Sequence, residues 1–312
     1  MSNPYKRHGA SLPALVIWII IAALLLCFLV AGLTHTAINP IRPVVFWKGS
    51  YTSQEIKKDV ALDGVHAVSI SGSAADVRVT SSNDDQIHVD LKLPTDDKTS
   101  AANAVTISDG TLSISADTEN HFFWFPWNWY PSSVTLALPA AYEGDFSIQT
   151  TSGDISLPDS LHLGALSIRH TSGDLEGGAI TAASADIQST SGEIHLQALD
   201  SPRFTIHQTS GNTTVNRLSG AGTFNRVSGD LEADIVSMSG NISSSSISGN
   251  TRFSLPAGQS ANVRFGCVSG NIHSDYPLSF NDAHNASGAI GSAPSYTLSA
   301  QTTSGNIDLT KS

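Results

Sequence analysis

Charge, aromatic side chains and cysteine are all scarce in this sequence, and each shortage excludes something. Charged residues make up 14% and aromatics 7% of its 312 residues, less than a globular enzyme ordinarily carries. Sixteen Lys+Arg against 27 Asp+Glu leave a formal charge of −11 with no basic cluster, which argues against nucleic acid as a partner. Of the two cysteines, Cys27 lies in an apolar run and Cys267 far beyond it. The chain therefore has no internal disulfide framework and no C-x-x-C metal site. Its Ser-Gly-Asn units lack the lysine and helix of a phosphate loop. Its Asp and Asn residues lack the close GGxGxD spacing of calcium β-rolls. Neither a metal nor a cofactor is expected.

One long hydrophobic run is present. Leu12 to Leu33 contains 22 residues without a charge, long enough as a helix to cross a hydrocarbon core of roughly 30 Å. The rival reading is a cleaved secretory signal ending near Val30-Ala31-Gly32, but its apolar region is normally only about 7–15 residues. We therefore expect a short cytoplasmic head at 1–11, a transmembrane helix at 12–33 and a juxtamembrane linker at 34–59. Lys6 and Arg7 before the span are matched by Arg42 and Lys48 after it, so the positive-inside rule barely orients the chain. The short head and long downstream region favour a single-pass bacterial membrane protein, N-terminus cytoplasmic and C-terminal domain extracytoplasmic.

Beyond the span nothing has helical periodicity. Short alternating runs begin at Val65: Val68/Ile70, Val77/Val79, Ile87/Val89/Leu91, Val105/Ile107, Leu112/Ile114 and Val134/Leu136/Leu138. A period of two bounded by Ser, Asn, Asp or Gly predicts half-buried strands. From Thr151 a unit such as Thr151-Ser-Gly-Asp-Ile155 recurs ten times, ending with Thr303-Ser-Gly-Asn-Ile307. The principal glycines, Gly153, Gly173, Gly192, Gly211, Gly229, Gly249, Gly270, Gly288 and Gly305, fall 17 to 21 residues apart, with Gly220 and Gly240 near two midpoints. A repeat of about 19 residues with a half-period near nine predicts a β-solenoid with two strands per coil. The solenoid proper is expected over 146–312, with 60–145 as its N-terminal β segment.

The offsets from glycine predict how a coil is built. Two residues on stand Ile155, Leu175, Ile194, Thr213, Leu231, Ile242, Thr251, Ile272, Ile290 and Ile307, a column expected to face the core. One residue on stand Asp154, Asp174, Glu193, Asn212, Asp230, Asn241, Asn250, Asn271, Ala289 and Asn306, expected outward by strand alternation. Glycine followed by Asx suits a corner needing positive φ and side-chain hydrogen bonds to the local backbone.

These units, the lead-in Val68-Ser-Ile-Ser-Gly-Ser-Ala-Ala-Asp-Val-Arg-Val79 and the strand Val134-Thr-Leu-Ala-Leu-Pro139 together resemble the bacterial putative-adhesin β-strand-repeat family, a domain of unknown function found in LiaG-like and YvlB-like envelope proteins. The resemblance spans about residues 60–310. It implies an all-β, parallel β-helix-like domain, often membrane-tethered and associated with envelope stress or surface functions, with no catalytic residues to carry over.

One segment departs from the repeat. Between His121 and Pro131, seven aromatics, Phe122, Phe123, Trp124, Phe125, Trp127, Trp129 and Tyr130, crowd into eleven residues. Such side chains combine apolar area with a polar handle. Three roles are open: a binding lip or membrane wedge, a cap on the solenoid core, or a platform for sugar stacking. An enzyme needs acids or histidines brought into register, and the third position after glycine holds Glu176, His195, Thr214 and Glu232, where neither type persists. The sequence thus predicts a non-enzymatic envelope protein, an adhesin or scaffold binding a protein or glycan or self-associating. The alternatives are a glycan-active β-helix enzyme and an accessory of envelope-stress signalling.

Overall fold

The structure, a computed structural model, describes residues 54–93, 103–117 and 132–312. The expected head, the span at 12–33, nearly all of the linker and the aromatic insertion lie outside these residues. Among the described residues no helix is long and apolar enough to cross a membrane. The strand Gln54–Ala61 starts within the stretch read as linker.

Among the described residues twenty strands form one mixed sheet that winds into a stack. In the middle of the stack successive coils pair in parallel at the sequence repeat: Leu175 lies beside Ile194, Ala179 beside Ala198 and Ala185 beside Phe204. The same pattern continues with Ile194 beside Thr213 and Phe204 beside Gly222. Each coil therefore carries three short ladder segments, for example 175–177, 179–181 and 185–189. This corrects the two-strand expectation. The glycine corner separates the first and last segments of adjoining coils, and a shallower bend near the midpoint of the repeat adds the third side.

Alternation sets the interior. Ile155, Leu175, Ile194, Leu231 and Ile307 of the predicted column are fully buried. They stack with Ile168, Ile187, Ile206 and Phe224 from the opposite wall. Phe204 and Phe224 lie with ring centroids 5.1 Å apart, and Phe253 follows 6.5 Å beyond Phe224. A coil alone could not bury these side chains, so stability comes from stacking neighbours. The early strands behave as predicted except at Ile107, which is exposed on the end strand Val105–Ser108.

Eight of the ten repeat glycines turn corners with φ between +108° and +141°. Conformation is only half the reason for glycine. A Cβ on Gly192 would stand 1.9 Å from the carbonyl oxygen of Gly173, and one on Gly211 would stand 2.0 Å from that of Gly192. The corners stack too closely for any side chain. The Asx residues outside them form a second ladder: Asp154 Oδ1 accepts from the Asp174 N–H at 3.0 Å, Asp174 Oδ1 from Glu193 N–H at 2.8 Å, and Asp230 Oδ1 from Asn250 N–H at 2.7 Å. The expected corner hydrogen bonds thus run between coils and not within one.

Two expectations fail at the C-terminal end. Gly288 is not a corner: it pairs with Val263 on an antiparallel strand, and its φ is not positive. Nor do coils stack in sequence order there. The C-terminal strands Thr297–Ser304 and Ile307–Lys311 pair with 242–255 on one side and 261–274 on the other. The last coil in sequence is therefore the second-to-last in space. Antiparallel strands close the ends, with Val105–Ser108 on Thr111–Ser115 at one and Ser279–Asp282 on Asn285–Ile290 at the other, which blunts the edges for further pairing.

Candidate functional site

Parallel register aligns equivalent positions of neighbouring coils into rows, spaced about 4.8 Å apart. Three such rows, four to two residues before the corner glycine, make a shallow open groove of about 440 Å³. Its rims are Gln149, Arg169, Gln188, His207 and Asn225 on one side and Thr151, Thr171, Thr190, Thr209 and Val227 on the other. Five coils give it a length of about 20 Å. Strand alternation explains the rims: both flanking positions point out, while the position between them points in.

The floor is that inward row, Thr150, His170, Ser189, Gln208 and Arg226, all buried. A row of polar side chains facing a hydrophobic interior must be satisfied, and most are. Thr150 and Ser189 donate to the carbonyls two residues on, Ser152 at 2.8 Å and Ser191 at 3.4 Å. Gln208 Nε2 donates to Gly192 O at 2.7 Å, and its Oε1 accepts from the Thr213 hydroxyl at 2.5 Å. Arg226 is 4% exposed. Its Nη1 donates to Gly229 O at 2.7 Å, and its Nη2 to the Thr251 hydroxyl at 2.6 Å.

Two floor residues are incompletely satisfied. His170, 4% exposed, has no partner for either ring nitrogen, and Arg226 has none for Nε. Burial pushes the His170 imidazole below its usual pKa, against the pull of Asp174 and Asp154. Burial also lowers the Arg226 guanidinium to about 10, against Asp230. Arg226 remains a cation at neutral pH without a carboxylate in contact.

No carboxylate is among the fifteen residues of the groove, although the chain carries a net charge of −11. The nearby corner acids accept hydrogen bonds from the next coil, and Arg169 Nη2 is held by Asp186 at 3.0 Å. Acid pairs of the kind that cleave glycosidic bonds are thus missing from this surface. Among the described residues no three His, Cys, Asp or Glu side chains converge as a metal site.

The predicted binding residues Phe122, Phe123, Trp124, Phe125, Trp127, Trp129 and Tyr130 lie outside the described residues. Their chain ends are placed, however. Thr111–Ser115 pairs with 67–71 and Ser132–Pro139 with 75–82. The described residues that flank the aromatic segment, up to Asp117 and from Ser132, therefore both lie along the strand 67–82. Asp117 Oδ1, at its entrance, accepts from the backbone N–H and hydroxyl of Ser73. Through the pairing of 67–74 with 145–152, this position belongs to the same row as Thr151.

The floor row went unrecognised in the sequence, although aligning the units on glycine reveals it. Three residues before the corner stand Thr150, His170, Ser189, Gln208, Arg226, Ser246, Cys267 and Thr302. Polar or sulfur-bearing residues at an inward parity are the signal. His170 and His207 look scattered only when counted forward from glycine.

No curated protein sequence matches the chain. Several solved structures resemble it at low identity. A crystal structure of a putative adhesin from Parabacteroides distasonis superposes with a TM-score of 0.49 at 12% identity, covering 82% of this chain and 97% of that one. A putative adhesin from Bacteroides fragilis gives 0.46 at 14% identity, covering 83% and 98%. A putative lipid binding protein from Parabacteroides distasonis gives 0.46 at 12%, covering 83% and 97%. A family model, by contrast, matches residues 65–310 continuously, from the first strand of the stack through the last corner. The chain belongs to the Toastrack DUF4097 family, a domain of unknown function.

Proposed function

We propose that this protein is a non-enzymatic module of the bacterial cell envelope, anchored by the span at 12–33 with its solenoid outside the membrane, that binds an envelope component through one face of the stack. The observation that carries this reading is the groove. Five coils align rims of exposed hydrogen-bonding side chains over a buried polar floor, with no carboxylate pair to perform hydrolysis. Residue 117, from which the chain runs on toward the aromatic residues, stands in the same row as Thr151. In this reading both the groove and the aromatic residues contact the partner. The partner is a surface glycan or envelope protein, and self-association through the same face fits the reading too.

The test is attachment of the full-length protein to envelope fractions. Replacing Trp124, Trp127 and Trp129 by Ala, or Thr190 by Glu in the groove, should each reduce attachment by about tenfold, with circular dichroism and thermal melting unchanged. Normal attachment by both variants would sink the proposal.

A further inference from the structure

Resting on the reading of this face as a contact surface, we infer that its occupant is a second copy of the same chain, packed wall to wall along the stack.

The groove is part of a longer flat wall. Nine parallel rungs, from 69–73 at one end to 264–268 at the other, each point three side chains outward, as Ser147/Gln149/Thr151 and Ser243/Ser245/Ile247 do. All of these outward residues are exposed or half-buried. Among the described residues that point out from this wall a single one is a carboxylate, Asp186, and Arg169 neutralises it at 3.0 Å. The wall that follows the corner is the opposite: Asp154, Asp174, Glu176, Glu193, Asp230 and Glu232 all stand exposed there. Two chains of net charge −11 repel one another at long range. The carboxylate-poor wall lets them meet without acids in opposition.

Self-complementarity selects a copy of the chain over another partner. A two-fold interface sets a surface against itself. A row of carboxylates or lysines cannot satisfy that condition, whereas a row of hydroxyls can, because each hydroxyl both donates and accepts. Ser and Thr fill most outward positions, from Ser69 and Ser71 at one end to Ser299 and Thr303 near the other. Such short side chains lose little rotamer freedom on contact and let two sheets approach to about 10 Å. Apolar area comes from Val227, Ile247 and Val268, aligned in one row with Thr303 between the last two. These are three of the seven large hydrophobics exposed among the described residues, and a second copy on this wall covers them. The nine rungs measure about 38 Å by about 15 Å, roughly 600 Å² in plan. Accessible area exceeds plan area on a corrugated face, which brings the wall close to the roughly 800 Å² per partner of a stable interface. A glycan fits less well, because among the described residues no aromatic ring points out from these rungs.

His207 stands on the middle rung and in the middle row, so a two-fold axis through the centre of the wall brings it near its counterpart. Full-length protein with Cys27 and Cys267 replaced by Ser is treated in native membranes with a short bismaleimide, through His207→Cys or, on the acidic wall, Glu176→Cys. The first should give a crosslinked dimer and the second little or none. Added to the His207→Cys chain, Ile247→Glu and, separately, Val227→Glu place a carboxylate on the wall, and each should weaken the dimer by about tenfold or more, with circular dichroism of the purified chain unchanged. The yield should rise with ionic strength, because salt screens the repulsion between copies. No dimer through His207→Cys, equal crosslinking at both positions, a yield unmoved by both glutamate variants, or a yield that falls as salt is added would overturn the inference. If no dimer forms while Thr190→Glu still loses envelope attachment, the second copy falls as occupant and the envelope reading stands. If Thr190→Glu and the triple tryptophan variant also attach normally, both fall.

Discussion

The middle of the stack and its C-terminal end are built from the same Ser-Gly units and assembled by different rules. Between Thr151 and Thr251 each unit except the one at Gly240 is a corner, each corner rests on the one before it in sequence, and the pairing partner is always about one repeat away. After Leu255 the chain skips a rung. Residues 261–274 dock on strands that have not yet been made, and Thr297–Lys311 later fills the gap between them and Thr251–Leu255. The unit around Gly288 becomes one strand of a hairpin. A motif therefore marks where a corner can form, while neighbours decide whether it does. The regular middle is also where the rows align into a groove, and along the outward row threonine at 151, 171, 190 and 209 gives way to the exposed Val227, Ile247 and Val268 toward the irregular end, 45%, 58% and 73% accessible.

The largest effect that would break this comparison comes from removing the inserted coil. Deleting residues 292–312 should abolish amide-exchange protection across 269–274, which pairs with the deleted strands and not with 285–290, and expose the 251–255 edge, while 165–226 stays protected. Preserved protection at 269–274 would mean that the coils stack in sequence order after all.

A smaller effect separates a true corner from a false one. Gly192→Ala forces a side chain onto φ +113° and against a backbone carbonyl, so chemical denaturation should register a loss of about 3 kcal/mol or more. Gly288→Ala keeps an ordinary φ and meets chiefly the Leu278 side chain, 3.0 Å away, and should cost about 1 kcal/mol or less. Equal costs would show that the glycine ladder is not continuous.

Within the groove floor, Arg226→Ala leaves the carbonyl of Gly229 and the hydroxyl of Thr251 without their donor. We expect a loss of about 2–4 kcal/mol. Ser246→Ala, one coil on in the same column, removes a single bond of 3.0 Å to Ser248 O and should cost about 1 kcal/mol. The ranking, measured by urea midpoints, matters more than the values.

The smallest effect is pH-linked. His170 is held neutral by burial, so its folded pKa lies below the ordinary 6.5, and the unfolded chain takes up a proton first as pH falls. Its contribution is complete above pH 6.5 and declines as pH drops from there toward the folded pKa. Melting temperature should therefore decrease more steeply below pH 6.5 in the wild type than in His170→Thr, which restores the residue type found at Thr150. Parallel profiles would show that burial does not shift the ring's titration between the unfolded and folded chain.

Much of the middle was legible in the sequence because strand alternation and glycine spacing act locally. Ile155, Leu175 and Ile194 face inward as a period of two requires, and Gly153, Gly173, Gly192, Gly211, Gly229 and Gly249 turn where Ser-Gly is followed by Asx or Glu. The rest depended on distance along the chain. Nothing near Thr297 signals that it will pair with both Asn262 and Ile242's strand, because register sets direction and face but not order in space. The third ladder segment escaped for a different reason: its outward residues include the apolar Ala179 and Ala198, so the buried Ile180 and Leu199 beside them do not stand out by alternation. The groove was missed because its floor reads as scattered polar residues until the coils are superposed. His170 and Arg226 break the local rule that inward positions are apolar, and such breaks concentrate at functional sites.

The central claim, that the aligned rows form a ligand groove, is tested most directly by histidine NMR. Full-length protein carrying carbon-13 at the imidazole Cε1 is titrated with solubilised envelope fractions, and the signal of His207 is assigned from His207→Gln. The resonance of His207, on the groove rim, should move, while the half-buried His88 and the exposed His273 outside the groove stay fixed. Saturable binding that leaves His207 unmoved would contradict the account.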